Sequence, residues 1–124
     1  MKSVPTERRQ RRSQESAIAL RYQLEHSREK GRLKALVVTD ESGLLVASVG
    51  AEKVCEELGA MAPVFGRTFT APSDLPTLEG GEIAIRTLRA CGESFYLAAL
   101  GGGVARDAIL ESTRAGVSRI LSAN

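Results

Sequence analysis

Aromatic residues, histidine and cysteine are all scarce in this sequence of 124 residues, and each scarcity excludes a kind of site. There is no tryptophan and aromatic residues make up only 4 %, so the core must be built mainly from aliphatic side chains. One histidine, His26, and two isolated cysteines, Cys55 and Cys91, have neither the number nor the spacing of a His/Cys zinc site or a redox motif. We therefore expect no metal and no cofactor.

The sequence also lacks a recognisable set of catalytic residues. Catalysis would need a nucleophile with a base, paired carboxylates or a metal cluster, and the acidic residues here are scattered over predicted solvent-facing positions. Gly101–Gly103 precedes a predicted helix, but Arg106 stands where the third glycine of G-x-G-x-x-G belongs, and no lysine-containing phosphate loop is present. We predict that the protein is not an enzyme and takes no small-molecule substrate.

No hydrophobic run is long enough to cross a membrane, and the N-terminus is polar rather than signal-like. These absences predict a cytoplasmic protein whose two thiols stay reduced.

Positive charge is concentrated at the start of the chain. Residues 1–34 hold ten Lys or Arg and four Glu, whereas the remaining residues hold seven Lys or Arg and eleven Asp or Glu. We predict a flexible basic arm over residues 1–13 and a single domain over residues 14–124. Either the arm is a solvated tail, or it makes an electrostatic contact with nucleic acid, anionic membrane or an acidic partner. The residues that would make that contact are Arg8, Arg9, Arg11 and Arg12.

The most informative stretch is Ala35–Val49, in which two aliphatic runs flank the polar turn Asp40–Gly43. This pattern is typical of a β-hairpin, with Gly43 supplying a positive φ angle. Because the runs are apolar on both sides, we expect a central sheet covered by helices on both faces.

Two helices are predicted around this hairpin, the first over Gln14–Lys30 and the second over Ala51–Phe69. Pro63 lies inside the second helix and predicts a kink or a division into two short helices. An apolar stripe runs along that helix through Val54, Leu58, Met61, Phe65 and Phe69. Either the whole stripe faces the sheet or part of it meets a second subunit, and periodicity alone does not decide between them.

The C-terminal half is predicted to add three strands and a helix. A short strand is expected near Leu75–Leu78 in a loop rich in Pro and Gly, followed by strands over Ile83–Arg89 and Phe95–Leu100. A last helix is expected over Val104–Leu121, with Gly116 allowing close approach to the sheet.

Four segments together resemble the roadblock/MglB-like domains. They are ALVVTDESGLLVAS at 35–48, EELGAMA at 56–62, IRTL at 85–88 and FYLAAL at 95–100. The resemblance covers about residues 15–122 and implies an α/β (α+β) fold of the order α-β-β-α-β-β-β-α. It implies a five-stranded antiparallel sheet, with the middle helix on one face and the outer two helices on the other.

The resemblance also implies a function. Members of the family bind and modulate small Ras-like GTPases, or serve as subunits of motor and signalling complexes. They form homodimers in which the middle helix and the neighbouring strand of each subunit meet. We therefore predict a non-enzymatic homodimeric regulator or scaffold that binds a small Ras-like GTPase in a signalling, polarity or motility system. The predicted dimer or partner interface is Val54, Leu58, Met61 and Phe65, and the alternative is a dimerisation module whose basic arm binds nucleic acid or anionic membrane.

Overall fold

The structure is a computed structural model that describes residues 3–68, 77–78 and 81–123, with side chains described over 14–66 and 82–123. Its elements are α1 (Ser3–Gly31), β1 (Leu33–Asp40), β2 (Leu45–Val49), α2 (Glu52–Thr68), β3 (Thr77–Leu78), β4 (Gly81–Ala90), β5 (Glu93–Gly101) and α3 (Arg106–Ser122). Three helices and an antiparallel sheet confirm the predicted mixed α/β fold.

The strands lie in the order β2-β1-β5-β4-β3, and each adjacent pair is antiparallel. The predicted hairpin is present, and Gly43 has a φ of +94°. β4 and β5 form a second hairpin whose turn residues, Cys91 and Gly92, have φ angles of +52° and +79°. Positive φ at both positions is the conformation that matches the twist of a two-residue hairpin.

Each face of the sheet has its own apolar cluster. On one face, α1 and α3 pack on the sheet through Leu20, Leu24, Leu110 and Val117, which contact Leu36, Val38, Leu97 and Ala99. On the other face, α2 packs through Cys55, Leu58 and Ala62 against Ala35, Val37, Tyr96, Ala98 and Leu100. Consecutive residues from Ala35 to Val38 therefore alternate between the two clusters, which is why this run of β1 is apolar on both sides.

The start of α1 corrects the sequence prediction. The helix begins at Ser3 rather than at Gln14, so its backbone includes most of the segment predicted as an arm without regular structure. Apolar periodicity could not reveal this part of the helix, because it holds almost no apolar residues, yet arginine, glutamine and glutamate are good helix formers. The predicted boundary at residue 13, between an N-terminal arm and a single domain, stays a prediction.

α2 and α3 depart from the sequence predictions in two further details. α2 is one continuous helix with Pro63 inside it, so the division into two short helices is wrong. In α3, a Cβ atom added at Gly116 would lie 2.5 Å from Oε1 of Gln23, so this glycine allows close approach to α1 rather than to the sheet.

Candidate interaction surface on α2

The side of α2 that packs on the sheet is made largely of small residues. Cys55, Ala62 and two glycines, Gly59 and Gly66, lie on it. A Cβ atom at Gly66 would lie 2.5 Å from Cδ1 of Tyr96, and one at Gly59 would lie 2.7 Å from a methyl group of Leu45. The missing side chains let the helix approach the sheet closely.

Close packing through small residues leaves several large apolar residues of α2 on its flank. Of the predicted interface, Val54, Met61 and Phe65 are each half-buried within one chain. Leu58 has 0 % of its surface exposed and belongs to the core, so it has no free surface to offer a partner. Val64, one turn beyond Ala60 and not part of the predicted stripe, is 50 % exposed. We call Val54, Met61, Val64 and Phe65 the α2 flank.

The α2 flank faces the β4–β3 side of the sheet. Glu52 and Glu56 line a groove beside β2, at the other edge. At 100° per residue, these two glutamates lie on the opposite side of the helix from Val54 and Met61. Towards its C-terminal end, α2 passes over β5 and β4, where Gly66 lies close to Tyr96 and Ile85. The flank therefore lies on the side of α2 that faces away from β2, towards β4.

The β1–β2 turn is tightly organised beneath α2. Oδ1 of Asp40 accepts hydrogen bonds from the backbone amides of Ser42 and Leu44 and from the Ser42 hydroxyl, at 2.7–3.0 Å. The hydroxyl bond from Ser42, with the backbone bonds, holds the pKa of Asp40 below its ordinary value. A Cβ atom on Gly43 would lie 3.5 Å from the carbonyl oxygen of Gly59 in α2. That carbonyl receives no helical hydrogen bond from residue 63, because proline has no backbone N–H.

The two thiols lie in different surroundings. Cys55 is buried, and its Sγ donates a 3.4 Å hydrogen bond to the carbonyl oxygen of Val49. Burial raises the pKa of the Cys55 thiol, partly offset by a hydrogen bond from Ser48 and by the positive charge of Arg28. Cys91 is exposed in the β4–β5 turn.

The structure also bears on metal binding, on membrane spans and on the arginines near the start of the chain. Within the described ranges, no group of three or more His, Cys, Asp or Glu side chains is suited to hold a metal ion. No helix of the described chain combines the length and the apolar character needed to cross a bilayer. The side chains of Arg8, Arg9, Arg11 and Arg12 lie outside the described residues, so the proposed electrostatic contact stays a prediction.

The fold matches solved structures of MglB. The gliding protein MglB from Thermus thermophilus aligns with a TM-score of 0.54 at 10 % identity, covering 88 % of this chain and 93 % of that chain. An MglB with a tetrameric arrangement aligns with a TM-score of 0.52 at 11 % identity, covering 86 % and 90 % respectively. The chain has the MglB fold. No protein-family model and no curated protein matches its sequence.

The MglB fold confirms the roadblock/MglB-like architecture that the four sequence segments indicated. The sequence reading of α2 was less complete. It counted Leu58 as part of the interface because this residue follows the apolar spacing, although Leu58 lies in the core, and it did not include the exposed Val64. The spacing of Cys55, Gly59, Ala62 and Gly66, which places four small residues on one face, was the signal that could have identified the buried side.

Proposed function

We propose that this protein is a non-enzymatic regulator or scaffold for a small Ras-like GTPase and that it acts as a homodimer. The observation that carries the proposal is the MglB fold, which spans most of this chain and most of each MglB chain. The family resemblance of the sequence implies GTPase binding for domains of this architecture.

The surface of α2 supports the homodimer. Val54, Met61 and Phe65 keep part of their apolar surface in contact with water, and Val64 keeps half of its surface exposed. The same flank faces the side of the sheet on which β3 is the outer strand. A second copy that brings its own α2 flank and β3 to this edge would cover the apolar surface and extend the sheet. The arrangement of one MglB as a tetramer is consistent with self-association in proteins of this fold.

The test uses the purified full chain and the purified small Ras-like GTPases of its source organism. Each GTPase is loaded with GDP or with a non-hydrolysable GTP analogue, and binding is measured by biolayer interferometry. We expect one GTPase to bind with a Kd of about 1 μM and to distinguish the two nucleotides. GTP hydrolysis and nucleotide release are then followed with and without the protein. No interaction with any of these GTPases would remove the proposal.

Two matched variants locate the binding surface. Val64→Asp places a charge on the α2 flank, and Val104→Asp places the same charge before α3, where Val104 is fully exposed. We expect only Val64→Asp to weaken GTPase binding or dimerisation. Equal binding by both variants would place the GTPase contact elsewhere on the molecule.

A further inference from the structure

The sheet has a second outer edge, which is formed by β2. β2 is the outermost strand on its side, and no described residue pairs with its outer edge. An unpaired strand edge carries backbone donors and acceptors that a further strand can bind.

The pairing register shows which groups point outward. The amide of Asp40 donates a hydrogen bond to the carbonyl oxygen of Leu44, so the backbone N–H and C=O groups of Asp40 point towards β2. The backbone N–H and C=O groups of successive residues point to alternate sides of a strand, so those of Thr39 and Val37 point away from β2, towards β5. Their partners across the ladder are Leu45 and Ser48, which are three residues apart because the register shifts at a bulge opposite Val38 and Thr39. The N–H and C=O groups of Leu45 and Ser48 therefore point to the open edge.

A groove of about 410 Å³ runs along this edge between two helices. Leu45, Ser48, Val49 and Gly50 form its floor, Arg21 and Glu25 its α1 wall, and Glu52, Cys55 and Glu56 its α2 wall. β2 is five residues long, so a paired segment would extend over about 16 Å.

The charges around the groove favour a basic occupant. Three carboxylates and one guanidinium line it, and a second guanidinium, that of Arg28, acts on Cys55 in its α2 wall, so the negative charges outnumber the positive ones. None of the three carboxylates forms an ion pair with a residue in the described part of the chain. Glu52 and Glu56 are four positions apart on α2, and like charges at this spacing repel each other. A cation between the two helices would relieve that repulsion.

We propose that the β2 edge binds an extended, lysine- or arginine-rich segment of a partner protein, which adds to the sheet as a further strand. The backbone of the segment pairs with Leu45 and Ser48, as in other cases of strand addition. Its basic side chains lie near Glu25, Glu52 and Glu56. This site is separate from the α2 flank and does not depend on GTPase binding.

The probe is a fluorescent peptide, Thr-Lys-Val-Lys-Val-Lys-Thr, titrated with the native protein and followed by fluorescence anisotropy. We expect saturable binding that an otherwise identical peptide with Glu in place of Lys does not show. Peptides N-methylated at the three Lys or at the two Val residues test the backbone contact. One edge of the peptide faces β2 and the other faces water, so one methylated peptide should lose binding and the other should keep it.

Matched protein variants test the charge contact. Glu52→Gln/Glu56→Gln removes two groove carboxylates, and Glu41→Gln/Glu93→Gln, the turn variant, removes two exposed carboxylates in or next to the hairpin turns. We expect the groove variant to weaken binding about tenfold and the turn variant to change it less than about twofold. All four positions are exposed, so both variants should fold.

Three results would overturn the proposal. They are no binding up to about 1 mM peptide, equal effects of the two double variants, and equal binding of both N-methylated peptides. A fourth measurement, amide hydrogen exchange, should show slower exchange at Leu45 and Ser48 when the native protein is saturated with peptide. Unchanged exchange at both positions would also exclude strand addition.

Discussion

At the scale of single residues, the absence of a side chain decides which face of α2 is buried. Gly59 and Gly66 bring the helix close to the sheet, and the larger Val54, Met61 and Phe65 are displaced to its flank. Hydrophobic periodicity gives weight to large apolar residues and none to glycine, so it did not mark the face that carries Gly59 and Gly66. The sequence could therefore predict the helix but not the direction in which it faces.

Gly66→Ala should destabilise the protein. The new methyl group would lie 2.5 Å from a ring carbon of buried Tyr96, so the aromatic ring or the helix must shift. We expect a loss of about 1–3 kcal/mol in the free energy of unfolding, which exceeds the gain in helix propensity. Gly59→Ala is the matched control, because its methyl group meets the end of a flexible, half-buried leucine. Urea unfolding measures the free energy of unfolding of both variants. A Gly66→Ala protein that is as stable as the native protein, or more stable, would show that the helix does not need glycine at this position.

At the scale of elements, the strands of the two hairpins were easier to predict than the helix ends. The turns Asp40–Gly43 and Cys91–Gly92 each end in glycine, and β1 and β5 contain continuous apolar runs at 35–38 and 95–100. The N-terminal part of α1 has no apolar stripe, so nothing in its pattern marked a helix. The contact between α1 and α3 was missed for another reason. It includes a polar pair, Ser27 and Thr113, which are buried although sequence patterns assign such residues to the surface.

The Ser27–Thr113 pair should contribute measurably to the packing of α1 against α3. Their hydroxyl oxygens are 2.6 Å apart, and Thr113 also lies 2.6 Å from the carbonyl oxygen of Ile109. Thr113→Val keeps the shape but leaves the Ser27 hydroxyl without this partner, at a cost of about 1–2 kcal/mol. Adding Ser27→Ala should recover part of that loss. A double-mutant cycle in urea measures the coupling, and strictly additive effects would mean that the two hydroxyl groups act independently.

At the scale of the whole molecule, the fold separates two surfaces. α2 crosses one face of the sheet, so its apolar flank faces the β4 side while its glutamates border the β2 edge. Sequence resemblance was sufficient to predict the architecture, because segments 35–48 and 95–100 supply the central strands. It could not reveal the groove, since Arg21, Ser48 and Glu52 come together only when three separate elements pack. A second subunit at the β3 edge would leave the β2 groove of each chain accessible.

Met61→Asp should separate the proposed dimer. Met61 is half-buried within one chain, and a second copy would bury the rest of it, so an unpaired carboxylate there is costly at the contact. Light scattering after size exclusion should give the native protein about twice the chain mass of 13.2 kDa and the variant about that mass. Val104→Asp is the control and should keep the native mass. Circular dichroism distinguishes dissociation from unfolding, because a folded monomer retains its helical signal. If the native protein itself has the mass of one chain, the α2 flank is not a self-association surface, and its exposed apolar residues are left for a different partner.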